Sequence, residues 1–326
     1  MGTVFVTGGT GLIGANICRR LREEGHEVRA LVRPGSEHGP LRDLGVTPCL
    51  GDIASPEDVL NAAGDAEFVI HSAAVLGGAS QDMPEHERVN VAGLGHVLDA
   101  ATTIGAKRTV TLGTTTYFDY RTEPLTEYSA LLSEPLKDPY SVTKRAAFVE
   151  TMRRVAEGLD ACVVIPGGTF GPSPVPHRAM EAPSYNLRIA LALKGEFTEA
   201  VHFPIPWSYA DDVAGCAVAA LERGVPGEKY LAFASPDDVS STAEFLNLAL
   251  EIAGSRHRVL DITAAELDKR PDLEREVGPS NAALARQKFP VPYYRDELTR
   301  SRLGHDPLRL EEALRRTIEW LVTVQP

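Results

Sequence analysis

Thr7-Gly8-Gly9-Thr10-Gly11-Leu12-Ile13-Gly14 is the stretch whose reading decides the fold. It follows a short apolar run, Thr3-Val4-Phe5-Val6-Thr7, and opens a helical pattern over Ala15 to Glu24. The glycine at 8 permits a tight turn, the one at 11 lets backbone amides approach a pyrophosphate, and the one at 14 lets helix and strand pack closely. The helix N-terminus then faces the anion. A glycine-rich string alone is weak; the strand before it and the helix after it supply the context. The expectation is a dinucleotide site using Gly8, Thr10, Gly11, Leu12 and Ile13.

Strands and helices continue to alternate downstream. Glu27 to Val32 reads as a second strand ending in Arg33-Pro34-Gly35-Ser36. NAD-selective folds carry an acidic residue at this tip, whereas an arginine can clamp a 2′-phosphate, so Arg33 favours NADP over NAD. Val46 to Leu50 is a third strand, and Asp52 and Ile53 after it fall near the adenine edge. The fourth, Phe68 to Ile70, ends in His71-Ser72-Ala73-Ala74, where the small Ala73 and Ala74 let a cofactor lie across the strand ends. A lone histidine at a strand end is more often a hydrogen-bonded packing residue, and His71 is read so. Asn90, inside the helical stretch Glu85 to Thr103, is a polar side chain among apolar neighbours and is expected to bond something specific. Arg108 to Leu112 and Ala161 to Ile165 supply strands five and six; the former delivers Gly113-Thr114-Thr115-Thr116 to the sheet edge where ligands bind. Residues 117–138 read as a loop beside the site. This order argues an α/β fold, a Rossmann doubly wound parallel sheet with a smaller C-terminal substrate-binding lobe. The boundaries expected are 1–171 plus 205–235 for the NADP-binding unit and 172–204 plus 236–326 for the lobe.

Composition removes other classes. The 326 residues carry a net charge of -12, which repels nucleic acid and anionic membranes, and contain no run of about 20 apolar residues. Cys18, Cys49, Cys162 and Cys216 are widely spaced without metal-ligand spacing, which points to reduced thiols, a cytoplasmic chain and no metal.

The chemistry is expected at Asp138-Pro139-Tyr140-Ser141-Val142-Thr143-Lys144. Asp138 suits an N-cap and Pro139 the first helical position, which puts Tyr140 in the first turn and Lys144 on the same face. A cation beside a phenol favours the phenolate, making Tyr140 a candidate general acid and base. Tyr-x-x-x-Lys also arises by chance, with the tyrosine half-buried and the lysine solvated.

Together these segments resemble the extended short-chain dehydrogenases/reductases, within the NAD-dependent epimerase/dehydratase superfamily, and most of all their dihydroflavonol-reductase-like branch. TGGTGLIG at 7–14, GDI at 51–53, HSAA at 71–74, NVAG at 90–93, PYSVTK at 139–144, PGGTFGP at 166–172 and ADDVA at 210–214 carry the resemblance. It implies that Tyr140 is the acid/base, that Lys144 lowers its pKa and binds the nicotinamide ribose, and that a hydroxyl residue after strand five polarises the substrate oxygen. It also adds Pro166, Gly168 and Thr169 to the cofactor-binding set. Family members often have Ser-Ser or Ser-Thr where this chain has Gly113-Thr114-Thr115, so the hydroxyl is Thr114, with Thr115 the alternative. Dehydratase branches have Asp-Glu next, where this chain has Thr115 and Thr116, which disfavours dehydration. The activity implied is NADP(H)-linked interconversion of a carbonyl and an alcohol on a small molecule; a sugar-nucleotide epimerase is the second reading. A homodimer is a common arrangement of such chains.

Overall fold

The computed structural model describes residues 1–77 and 80–324. The sequence also suggests a substrate-facing role for the loop 76–86, of which Gly78 and Ala79 lie outside the described residues. The strands among the described residues are β1 (Thr3–Thr7), β2 (Glu27–Val32), β3 (Thr47–Leu50), β4 (Phe68–His71), β5 (Arg108–Leu112), β6 (Ala161–Pro166), β7 (Gly168–Phe170), β8 (Glu199–Val201), β9 (Trp207–Tyr209), β10 (Lys229–Ala232) and β11 (Leu260–Ile262). Seven of them form one sheet in the order β3-β2-β1-β4-β5-β6-β10, every pairing parallel.

Two-residue periodicity splits the strand side chains between two helical layers. On β1, Val4 and Val6 join helices Leu12–Glu23 and Ala210–Arg223, while Phe5 faces helices Pro56–Ala63 and Gly93–Thr103. The reversal of strand order between β1 and β4 opens a crevice at their carboxyl ends, where such sheets hold ligands. The six strands read from the sequence all belong to this sheet and match to within a residue or two, because a strand buried on both faces is a short apolar run bounded by turn residues.

A second core joins residues from both sides of the expected boundaries: Trp207 stacks on Phe245 at 3.8 Å and packs with Phe170, Ile189 and Leu314. The pairs β7–β9 and β8–β11 build this region. Helix Glu297–Leu303 docks instead on the open edge of the main sheet: Thr299 Oγ1 accepts the Leu231 amide at 2.7 Å, and the Thr299 amide donates to buried Glu127 at 2.8 Å. The stretch 117–138 is more than a solvated loop, since Tyr117, Phe118, Tyr120 and Leu125 are buried with Phe148, Tyr293 and Tyr294. No described helix is long and apolar enough to cross a membrane.

Candidate active site

The turn after β1 is shaped for a close visitor. Gly8 has φ +74, and a side chain there would meet the Ala73 amide nitrogen at 2.6 Å. A Cβ on Gly14 would run into the Gly8 carbonyl oxygen, so only glycine lets the helix start this near the strand. Helix Leu12–Glu23 begins at Gly11 with no side-chain cap and no acidic residue in its first turn. Its leading amides, those of Leu12 and Ile13 included, are left to an incoming anion, which fits a dinucleotide pyrophosphate. Thr10 lies in the same turn, half-buried.

The other expected residues fall at successive strand ends along this edge. Arg33 is exposed directly after β2. Asp52 follows β3 and pairs with Arg88 at 3.2 Å, whereas the Ile53 side chain is buried in the core against Gly93. Ala73 and Ala74 follow β4, with Ala73 against Gly8. Pro166 ends β6, and Gly168 and Thr169 belong to β7, held against β9 by the Gly168 amide on the Pro206 carbonyl at 2.9 Å. These residues thus fall along one edge of the sheet, with the Ile53 side chain turned into the core.

Tyr140 and Lys144 sit on helix Pro139–Ala156, whose N-cap Asp138 accepts the Ser141 amide at 2.9 Å through one oxygen and the Ser280 hydroxyl at 3.1 Å through the other. Burial raises the Tyr140 phenol above its ordinary value, the adjacent Thr114 hydroxyl pulls the other way, and Asp138 adds to the rise. The Lys144 ammonium is buried and donates to the Leu112 carbonyl at 2.6 Å; burial brings its pKa down to about 8. In this geometry the Lys144 ammonium is turned onto the carbonyl at the end of β5. Thr114 is 8% exposed and lies near the phenol, while Thr115 lies near the Tyr120 hydroxyl.

Two supporting residues behave as the sequence suggested. His71 bonds Thr7 Oγ1 at 2.8 Å, and burial, reinforced by Lys144, drives it down to about 3, so it is a neutral packing residue. Asn90 accepts the Val75 amide at 2.8 Å, returns a bond to the Val75 carbonyl at 3.1 Å and donates to Thr143 Oγ1 at 3.1 Å. It lies in a π-helical turn, Glu87–Ala92, a deviation that recurs at functional sites.

Sequence reasoning missed Gly77, whose backbone covers the Tyr140 ring so closely that a Cβ would be 3.1 Å from it. It also missed Tyr117. The signal for the latter was spacing, since residues three apart eclipse on a 3-10 turn and Thr115–Tyr117 forms one next to Thr114. Away from this edge, His202, Glu244 and Asp261 bring possible metal-ligand atoms together in the lobe, but His202 Nδ1 already meets Asp261 at 2.6 Å and Glu244 accepts the Ser241 amide at 2.7 Å.

Comparison with known proteins adds a family. The sequence model of the NAD dependent epimerase/dehydratase family matches residues 4–232. The chain is 28% identical to a 2-alkyl-3-oxoalkanoate reductase of Stenotrophomonas maltophilia over 96% of its own length and 97% of that protein. It is 32% identical to a 3-diazoavenalumate denitrifying reductase of a Streptomyces species, over 74% of this chain and 79% of that one. Among solved structures, a UDP-glucose 4-epimerase of Thermotoga maritima superposes with a TM-score of 0.81 at 19% identity, covering 99% of this chain and 100% of the other. At that identity the likeness speaks for the fold alone.

Proposed function

Because the chain belongs to the NAD dependent epimerase/dehydratase family, we propose that it is an NADP(H)-dependent oxidoreductase interconverting a carbonyl and an alcohol on a small-molecule substrate. The observation that carries this reading is the convergence of Thr114, just past β5, with the helix of Tyr140 and Lys144, whose ammonium is bonded to the last carbonyl of β5 at 2.6 Å. The cofactor, when bound, supplies or takes the hydride. Tyr140 gives a proton to the substrate oxygen in reduction and removes one in oxidation. Thr114 donates to that oxygen as its charge grows, and Lys144 supplies positive charge to the same corner. Gly8, Thr10, Gly11, Leu12 and Ile13 hold the pyrophosphate, Asp52 and Ile53 border the adenine, and Ala73, Ala74, Pro166, Gly168 and Thr169 line the path toward the reacting end. Residues 1–171 and 205–235 form the cofactor unit in this reading, with 172–204 and 236–326 bearing substrate contacts.

NADP is assigned through Arg33. No ion pair engages it among the described residues, and Glu37, the nearest carboxylate downstream in sequence, is turned to His177 at 3.3 Å. An unpaired guanidinium at the strand tip suits a 2′-phosphate, each charge-assisted hydrogen bond contributing about 1.5 to 3 kcal/mol. NADPH is expected to bind about tenfold or more tightly than NADH, and Arg33→Ala to erase most of the gap while leaving NADH little changed. Direct titration of both nucleotides checks this. Equal or stronger NADH binding, together with NAD retained through purification, would instead favour the sugar-nucleotide epimerase.

The hydroxyl assignment has its own test. Thr114→Ala should lower turnover by about 3 kcal/mol in barrier height where the interaction is strong, and Thr115→Ala by much less. Steady-state kinetics showing the reverse ranking would move the role by one residue.

A further inference from the structure

The two peptide groups leaving β5 are held by three different elements. Leu112 O accepts Lys144 Nζ at 2.6 Å, Gly113 N donates to Val164 O at 2.7 Å, and Thr114 N donates to Tyr117 Oη at 3.3 Å. The third bond is half of a capping box, in which the Tyr117 side chain three residues downstream satisfies the buried amide of the N-cap Thr114 where the strand ladder stops. The same phenol oxygen stands 2.5 Å from where a Cβ on Gly113 would be, with Val163 and Ile165 at 3.0 and 3.1 Å closing the remaining sides. The Tyr117 ring, 2% exposed, stacks at 5.0 Å on Phe148, a residue of the helix that carries Tyr140 and Lys144. Burial raises the Tyr117 phenol, so it stays protonated and does not compete with Tyr140 as an acid/base.

We propose that Tyr117 is a positioning residue of the active site: its phenol oxygen fills the space of a side chain at 113, takes the Thr114 amide, and fixes the peptide that aims the Thr114 hydroxyl at Tyr140. The absence of a side chain at Gly113 and the presence of a hydroxyl at 117 are then one device, in which the oxygen enters from the 3-10 turn. This rests on the roles given above to Thr114 and Tyr140.

Tyr117→Phe keeps the ring between Phe118 and Phe148 and deletes only the oxygen. It is expected to lower kcat/KM about tenfold, to leave NADPH affinity unchanged, and to move the Tyr140 titration upward as the Thr114 hydroxyl loses its aim. That titration needs no substrate: it is the near-ultraviolet phenolate absorbance of each protein minus that of its Tyr140→Phe counterpart. Gly113→Ala alone, pushing on the phenol oxygen, should lower the melting temperature, and Tyr117→Phe added to it should restore much of the loss. Gly113→Ser with Tyr117→Phe returns an oxygen to the same space and should bring kcat/KM to within about threefold of the parent. A Tyr117→Phe protein with unaltered turnover and unaltered Tyr140 titration would overturn the proposal. So would a loss of turnover with no shift in that titration and no rescue by the added Gly113→Ser change, which would make Tyr117 a packing residue only. Failure of the underlying reading shows separately, as Thr114→Ala and Tyr140→Phe proteins that keep their turnover.

Discussion

Tyr140→Phe is expected to lower turnover by about 10²- to 10⁴-fold, the usual contribution of a positioned general acid or base. Cofactor affinity and melting temperature should stay close to the parent's, because phenylalanine preserves the ring that Gly77 covers and removes only the oxygen facing Thr114. The size of the effect follows from the surroundings. Burial favours the neutral phenol, so the unliganded protein holds its proton ready for reduction, and oxidation needs added positive charge at this corner before the phenolate forms. Steady-state rates over ketones, aldehydes and sugar nucleotides with NADPH, alongside nucleotide titration, measure both halves. A variant retaining a substantial share of the rate would place the proton with another group.

The sheet and the glycine turn after β1 were readable in the sequence because they depend on local rules. Val4, Val6 and Phe5 alternate between two apolar layers, and Gly8 and Gly14 sit where no side chain fits. Arg33, Ala73 and Thr114 could be placed with them, since the strand that precedes each fixes its position on the edge. What escaped depends on contacts between distant segments. Gly77 meets Tyr140 across more than sixty residues of chain, and Glu127 reaches Thr299 from a stretch with little periodicity. The same limit explains Lys144. Its spacing from Tyr140 correctly puts both on one helix, but whether the ammonium points at the phenol or at β5 depends on the Leu112 carbonyl, 32 positions away.

That placement makes Lys144→Met the second large effect. Turnover should fall by about 10²-fold or more through loss of the positive charge beside the reacting oxygen, and the stability of the cofactor-free protein should change in a way that depends on pH. Burial brings Lys144 from its ordinary value of 10.5 down to about 8. Below pH 8 both folded and unfolded chains hold the proton, and burying the charge costs about 3 kcal/mol at 1.36 kcal/mol per unit. Between pH 8 and 10.5 the folded chain sheds its proton while the unfolded chain keeps it, so the unfolded state binds more protons and the parent gains stability as pH rises. Methionine escapes the charge cost at every pH but loses the hydrogen bond to Leu112, an offset that a neutral amine still making that bond keeps nearly constant with pH. The stability of Lys144→Met relative to the parent should therefore be highest near pH 7 and decline by up to about 3 kcal/mol toward pH 10. Urea unfolding of both proteins across that range measures the difference directly, and a flat difference would mean that the lysine is solvated in the free protein and not held against β5.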